Sequence, residues 1–212
     1  MLDVICWLWK PGPRYRSQYR PEHVNILHRM VQRWYPKPHR FSCITDQQDG
    51  FDPGIRLIPL WTEYKDRGSS YGPRFPSCYR RLKAFAPEMA EVIGPRFVSI
   101  DLDAVVCGDL TPVFERPEPF VIWGATNRTT PYNGSLWMMD AGARSYVWTE
   151  FHADPERSIR SARMAGMYGS DQGWLSHRLG RDEPVWNESH GVYSYRIHIR
   201  PTGRLPENAR LV

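Results

Sequence analysis

The sequence lacks the patterns that mark membrane, secreted and repetitive proteins. Its 212 residues contain no apolar run that approaches the length of a membrane span. The N-terminus has neither the basic lead nor the small-residue cleavage site of a signal peptide. Internal repeats and low-complexity segments are also absent. These absences leave a globular protein, for which a cytoplasmic location is the default expectation.

Cysteines are few, and acidic residues are fewer than basic ones. Only four cysteines occur, and they lie far apart without a Cys-X-X-Cys pair, so neither a zinc site nor a disulfide framework is indicated. The 23 acidic residues are outnumbered by 28 basic ones, which gives a net charge of +5. The arginines are spread along the chain and no common nucleic-acid-binding motif is present. The excess charge therefore favours a small phosphorylated ligand over nucleic acid.

Short apolar runs alternate with amphipathic segments along most of the chain. A strand is predicted at residues 3–9, a helix begins at Pro21, and a second strand follows at 39–46, an order typical of a parallel sheet. Further strands are predicted at 55–60, 97–103, 119–124 and 133–140, helices at 77–93, 141–152, 155–165 and 170–179, and short extended pieces from Pro184 onward. We therefore expect a single α/β domain over residues 1–212, with a mixed, mostly parallel central sheet flanked by helices.

Two carboxylates, Asp101 and Asp103, stand at the end of the strand that begins at Phe97. Side chains alternate along a strand, so both would emerge on one face, roughly 7 Å apart at the backbone, with Leu102 on the other. Two carboxylates at that spacing can hold Mn²⁺ or Mg²⁺, which prefer oxygen ligands and bridge to diphosphates. An isolated Asp-X-Asp triplet is also explained by chance, or by a turn or helix cap.

Aromatic residues near the first strand are candidates for base stacking. Trp7, Trp9 or Tyr15 could lie against a nucleobase, although packing in the core explains each of them equally well. The polar segment between Trp61 and Pro76 predicts a mobile loop near the site.

Two basic residues on the helix predicted at 77–93 are phosphate candidates. On a helical wheel centred on its apolar stripe, Arg81 and Lys83 flank the stripe on opposite sides, whereas Arg80 points to solvent. A solvated base explains Arg81 or Lys83 equally well.

The helix predicted at 170–179 begins with three polar residues, Ser170, Asp171 and Gln172. Capping of its first turn explains Ser170 and Asp171, but it does not explain Gln172.

Four motifs in this order carry a resemblance to a known family. They are YRRLKAFAPE (79–88), FVSIDLDAVVCGDLTPVF (97–114), YNGSLWMMD (132–140) and SDQGWLS (170–176). Together they resemble the nucleotide-sugar glycosyltransferases of the GT-A fold, most closely glycosyltransferase family 8 and its bacterial relatives, over about residues 1 to 180.

The resemblance implies a metal-dependent transferase that moves a hexose from a nucleotide sugar, UDP-linked in the first instance, to an acceptor hydroxyl on a glycan or small molecule. It implies Mn²⁺ or Mg²⁺ as cofactor and leans towards retention of configuration. By position, it assigns Asp101 and Asp103 to the metal, Arg81 to the phosphates or donor sugar, Asn133 to the sugar ring with Gly134 leaving room for it, and Asp171 and Gln172 to the surroundings of the anomeric carbon and incoming hydroxyl.

The sequence departs from the family pattern in two places. Where the family's first strand usually carries an Asp for the base or ribose, this chain has Cys6-Trp7-Leu8-Trp9 followed by Lys10. The family's His-Gly…Lys-Pro-Trp element, whose His is the third metal ligand, is expected to be missing. His190 and His198 are the possible substitutes for that ligand.

Three other functions remain open from the residues. A phosphohydrolase or nucleotidyltransferase also uses paired carboxylates but needs further acidic ligands for a second ion. A catalytically silent module would bind the nucleotide sugar without transfer. A nucleic-acid binder would show a steep salt dependence of affinity.

Overall fold

One seven-stranded sheet organises the computed structural model, which describes residues 1–10, 18–68, 77–124 and 130–212. The strands are β1 (Leu2–Leu8), β2 (His39–Thr45), β3 (Arg56–Pro59), β4 (Arg96–Ile100), β5 (Phe120–Gly124), β6 (Tyr132–Asp140) and β7 (Val185–Trp186). They lie in the order β3-β2-β1-β4-β6-β5-β7. Only β6 runs against its neighbours, so the predicted mixed, mostly parallel sheet is confirmed.

Helices cover both faces of the sheet, and the sheet separates two apolar cores. They are α1 (Pro21–Trp34), α2 (Met89–Val92), α3 (Thr111–Phe114), α4 (Tyr146–Ala153), α5 (Pro155–Met164) and α6 (Asp171–Leu179). Every residue of β1 is buried, which explains why its sequence is apolar without alternation except at Asp3. In the described part of the chain, no helix is long and apolar enough to cross a membrane.

The prediction of one continuous helix at 77–93 is wrong. The chain forms a 3-10 helix over Tyr79–Phe85, becomes extended at Ala86, and resumes as α2. Pro87 explains the break, because proline disfavours helical geometry in the residue before it. Arg80, predicted to face solvent, is only 9% exposed, because a 3-10 turn has three residues instead of 3.6 and rotates the side chains.

Three other local predictions need correction. The strand before the carboxylates ends at Ile100. Residues 101–104 form a turn, in which the Ala104 amide donates to the Asp101 carbonyl at 3.2 Å. The helix predicted at 141–152 begins only at Tyr146, after a turn with Gly142 at a φ of 81°. The tail is not extended throughout, since Tyr195–Ile199 winds into a π-helix.

Two sequence predictions fall outside the described residues. Tyr15, one of the base-stacking candidates, lies in the first gap, and residues 69–76 of the predicted loop lie in the second. The described part of that loop ends with a turn at residues 63–66.

Candidate functional site

The end of β4 meets the beginning of β6, because these two strands are antiparallel neighbours. Ile100 pairs with Leu136, and one residue further on the Asp101 amide donates to the Ser135 carbonyl at 3.0 Å. This register places the Asp-X-Asp turn beside Asn133 and Gly134. Two motifs about thirty residues apart are therefore joined through main-chain hydrogen bonds.

Asp101 and Asp103 both line a cavity of about 740 Å³, within the range of ligand pockets. Asp103 is exposed, whereas the side chain of Asp101 is 28% exposed. The strand alternation predicted for them does not occur, but the turn still directs both to one cavity. Its other described lining residues are Ile100, Ala104, Val105, Trp123, Asn133, Ser135, Leu136, Gln172, Val192, Tyr193, Ser194, Tyr195, Arg196, Ile197, Leu211 and Val212.

Asp101 lies where its negative charge is poorly compensated. Burial raises the pKa of its carboxyl to about 6, and the neighbouring charge of Asp103 adds to the rise. The Arg81 guanidinium acts in the opposite direction without cancelling it. A carboxylate with a raised pKa beside a second carboxylate is a place where a cation is strongly favoured.

Arg81 lies between two carboxylates instead of facing the cavity. Its side chain is 8% exposed, and Nη1 donates to Asp101 Oδ1. Nε donates to Asp171 Oδ2 at 2.7 Å, and Nη2 lies 2.6 Å from the same oxygen. The guanidinium is thus shared between the Asp-X-Asp turn and the first residue of α6.

Asp171, predicted to lie beside the anomeric carbon, is buried and is not among the described residues that line the cavity. It is 3% exposed, and its Oδ1 accepts from the Ser170 hydroxyl at 3.1 Å and from the Gln172 amide at 2.9 Å. Arg81 occupies its other oxygen. Among the described residues, Gln172 reaches the cavity and Asp171 does not.

Gln172 and Asn133 are the amide side chains on the cavity wall. Gln172 Nε2 donates to the Thr130 hydroxyl at 3.2 Å, which leaves its Oε1 as the atom available to a ligand. Asn133 Oδ1 accepts from the Ser135 amide at 2.9 Å, which leaves its amide NH₂ available in the same way. One acceptor and one donor therefore face the same space.

Gly134, predicted to leave room for the sugar, leaves room for the ion pair of Arg81 and Asp171. A Cβ at this position would lie 3.2 Å from Arg81 Nη2 and 3.5 Å from Asp171 Oδ2. The glycine has no unusual backbone geometry among the described glycines, so close approach is the reason for it.

Lys83, the other predicted phosphate ligand, is engaged elsewhere. It forms an ion pair with Glu63, and its ammonium lies 5.8 Å from the centre of the Trp61 ring. It is not among the described residues that line the cavity.

Trp7 and Trp9, predicted to stack on a base, are not among the described residues that line the cavity. Trp7 is 6% exposed, and its indole Nε1 donates to the Ser99 hydroxyl at 2.8 Å in the core. Trp9 is half-buried against the same core, 5.9 Å from the Arg80 guanidinium. Buried indoles with hydrogen-bond partners are ordinary core residues, so the alternative of core packing fits Trp7.

The two histidines considered as third metal ligands also have other partners. His190 Nδ1 lies 2.9 Å from Asn187 Oδ1. His198 Nδ1 accepts from the Ser194 amide at 2.9 Å, and Nε2 lies 2.8 Å from Glu188 Oε1. Within the ranges that the structure describes, no group of three or more His, Cys, Asp or Glu residues could hold a metal ion.

The charges of this site suit a divalent cation all the same. Asp101, Asp103 and Asp171 oppose a single guanidinium, that of Arg81, which leaves an excess of two negative charges. Mg²⁺ and Mn²⁺ are often held by only one or two carboxylates, with phosphate and water oxygens completing the shell. The donor set therefore fits a cation that is bound together with a diphosphate.

Part of the cavity wall is formed by the C-terminal segment, which was not predicted to belong to the site. Residues 192–197 and the pair Leu211 and Val212 line the cavity. The Val105 and Val212 amides and carbonyls exchange hydrogen bonds at 2.8 and 3.0 Å, which joins the tail to the segment after Asp103. The only sequence signal for this wall is the group of aromatic and basic residues in YSYRIHIR, a segment for which short extended pieces are predicted.

Comparisons with known proteins find similar structures but no similar sequences. No family model and no curated protein matches the chain. The galactosyltransferase LgtC, in complex with donor and acceptor sugar analogs, superposes with a TM-score of 0.59 at 13% identity, covering 88% of this chain and 73% of LgtC. An active-site mutant of LgtC gives 0.56 at 13% identity, covering 99% and 85%.

A second glycosyltransferase shows the same likeness. GlyE of Streptococcus pneumoniae TIGR4 superposes with a TM-score of 0.58 at 12% identity, covering 96% of this chain and 50% of GlyE, so this chain spans about half of its length. The chain therefore has the GT-A fold of these glycosyltransferases.

Proposed function

We propose, starting from the GT-A fold shared with LgtC and GlyE, that this protein is a metal-dependent glycosyltransferase. It moves a hexose from a nucleotide sugar, in the first instance UDP-linked, to a hydroxyl of a glycan or small-molecule acceptor. The observation that carries the proposal is the convergence of Asp101, Asp103, Asn133 and Gln172 on one cavity. Carboxylates for a cation and amides for a sugar are thus directed to the same space.

Asp101 and Asp103 would hold Mn²⁺ or Mg²⁺ through their free oxygens. The bound cation would supply Lewis-acid stabilisation of the leaving diphosphate. Arg81 takes one oxygen of Asp101 and so fixes the orientation of that carboxylate before any ligand arrives. Such pre-orientation lowers the reorganisation that the reaction requires.

Gln172 and Asn133 would position the hexose. When the bond from the anomeric carbon to the diphosphate oxygen breaks, its electron pair stays on that oxygen and the sugar becomes oxocarbenium-like. Gln172 Oε1, left free by the bond from Nε2 to Thr130, carries partial negative charge suited to this positive centre. The Asn133 amide is suited to donating to a ring hydroxyl.

Retention of configuration is supported by the carboxylates on the cavity wall. Asp101 and Asp103 are the only carboxylate side chains among its described lining residues, and both are assigned to the cation. An inverting reaction needs a further carboxylate as base across the ring. In the retaining route, the proton of the attacking hydroxyl passes to the departing diphosphate oxygen, so no additional base is required.

A two-metal phosphohydrolase or nucleotidyltransferase is less well supported. Such an enzyme needs several more acidic ligands for a second ion. The described residues contain no group of three or more potential ligands.

Calorimetry with UDP tests the proposal. We expect wild-type protein to bind UDP in the presence of Mn²⁺ and to lose most of the affinity when the metal is omitted. Asp103→Asn should have the same effect, whereas Asp66→Asn, at a carboxylate 87% exposed and away from the cavity lining, should bind as wild type does. Affinity that ignores both the metal and Asp103→Asn would overturn the proposal.

Thermal shift with a panel of nucleotide sugars then selects the donor. A ligand that binds only the folded state raises its melting temperature, by an amount that grows with its concentration over Kd. With the selected donor and Mn²⁺, mass spectrometry of mixtures with simple glycosides should detect transfer. Release of phosphate from the nucleotide without transfer would favour the phosphohydrolase instead.

A further inference from the structure

The cavity needs a positive side chain that neither predicted candidate supplies. Arg81 is saturated by Asp101 and Asp171 and is almost fully buried. Lys83 is paired with Glu63 outside the cavity lining. Since a divalent cation would only balance the two excess negative charges of the carboxylate cluster, the charge of a bound diphosphate would remain without a partner from these residues.

Arg196 is the only cationic residue among the described residues that line the cavity. Its side chain is exposed, and within the described part of the chain no carboxylate forms an ion pair with it. It lies on the tail, which lines the same cavity as Asp101 and Asp103. A guanidinium without an ion-pair partner and a pair of carboxylates thus share one cavity.

The turn that carries Arg196 is held in place from both sides. His198 receives a hydrogen bond from the Ser194 amide and contacts Glu188, which ties the π-helix to the preceding turn. The Tyr193 hydroxyl donates to Asn208 Oδ1 at 2.6 Å. π-helical turns are uncommon and are frequently found at functional sites.

The same wall is attached to the carboxylate turn. The Tyr193 amide donates to the Leu211 carbonyl at 2.9 Å, and the next residue, Val212, pairs with Val105, two residues after Asp103. The backbone segment that carries Arg196 and the turn that carries the carboxylates are therefore connected through main-chain hydrogen bonds.

We propose that Arg196 binds the diphosphate of the nucleotide donor in the cavity that it lines together with Asp101 and Asp103. This inference rests on the proposed function and adds a residue and an interaction to it. A guanidinium is suited to the task because its fork of N–H groups contacts two phosphate oxygens at once. The contact gains strength as the bond to the sugar breaks, because the departing diphosphate then carries one more negative charge.

Titration of two nucleosides separates this contact from a general effect on the fold. UDP and uridine differ only in the diphosphate, and affinities for both are measured at saturating Mn²⁺, with uridine followed by ligand-observed NMR. Arg196→Gln should weaken UDP binding about ten- to hundredfold, the range of a hydrogen bond to a charged group, and leave uridine binding as in wild type. Arg196→Lys should recover part of the loss.

Arg200→Gln is the matched control. Arg200 lies on the same tail, is exposed, and is not among the described residues that line the cavity. Its substitution removes the same charge and should leave both affinities unchanged.

Each remaining outcome counts against the inference. If wild type binds UDP with Mn²⁺ and Arg196→Gln binds it equally well, Arg196 does not contact the diphosphate and only this inference fails. An equal loss of uridine and UDP affinity would assign Arg196 to the structure of the wall. If wild-type protein does not bind UDP at all, the proposed function fails together with the inference.

Discussion

Arg81 contacts a single oxygen of Asp171 through two nitrogens, with Nε donating a hydrogen bond at 2.7 Å and Nη2 lying 2.6 Å away, while Nη1 donates to Asp101. Both partners of the closer pair are at least nine-tenths buried. Removing one member of a buried pair leaves the other charge without compensation, which costs far more than breaking a pair at the surface.

Arg81→Met should therefore destabilise the fold by roughly 3–5 kcal/mol, measured by urea unfolding. Arg29→Met, which breaks an ion pair with Asp52 from a side chain 65% exposed, serves as the control and should cost less than about 1 kcal/mol. Equal effects of the two substitutions would contradict the structural account of Arg81.

Gly134→Ala should disturb the site through Arg81. The new methyl group would lie 3.2 Å from Arg81 Nη2, so the guanidinium must move away from its carboxylates. We expect a destabilisation of roughly 1–3 kcal/mol, measured by urea titration, and weaker Mn²⁺ binding, measured by titration with the metal. Gly68→Ala is the control, because no atom lies within 4 Å of its added Cβ. Crystals of Gly134→Ala with an unmoved Arg81 would refute this explanation.

Metal affinity should depend on pH through Asp101. Its pKa is raised to about 6, so the carboxyl is mostly protonated at pH 5 and mostly ionised at pH 7. Proton and cation compete for the same oxygens, and the affinity for Mn²⁺ alone should therefore fall about tenfold from pH 7 to pH 5. Calorimetry without nucleotide avoids titration of the ligand. A constant affinity over this range would mean that Asp101 does not hold the metal.

Trp7→Phe distinguishes a core residue from a base platform. The substitution removes the indole donor and leaves the buried Ser99 hydroxyl without that partner, which should cost roughly 1–3 kcal/mol of folding stability. UDP affinity should stay at the wild-type value, because the ring does not line the cavity among the described residues. A large loss of UDP affinity with unchanged stability would restore the stacking interpretation.

The sequence was informative wherever a local pattern determines structure. The apolar run of β1 and the amphipathic spacing of α1 are read directly from the residues, and both elements were predicted to within a few residues. Asp101 and Asp103 were recognisable because both stand in a short motif. The 3-10 helix over Tyr79–Phe85 was missed because helical periodicity was extended across Pro87.

Arg196 was missed for a different reason. Its place in the cavity lining depends on the tail folding back to Val105, some ninety residues earlier in the chain, and on a π-helical turn held by His198. No local pattern encodes such long-range contacts. For Arg81 the motif identified the residue, but only packing against Asp171 shows that its charge is already engaged.

The reversed direction of β6 has a consequence for the proposed function. The first residues of β6 lie next to the last residues of β4, so the turn that carries Asp101 and Asp103 lies beside the segment that carries Asn133. Adjacent strands keep a spacing of about 4.8 Å. Under the proposed function, a donor would have to present its diphosphate and its sugar ring at the separation that these two strand ends set.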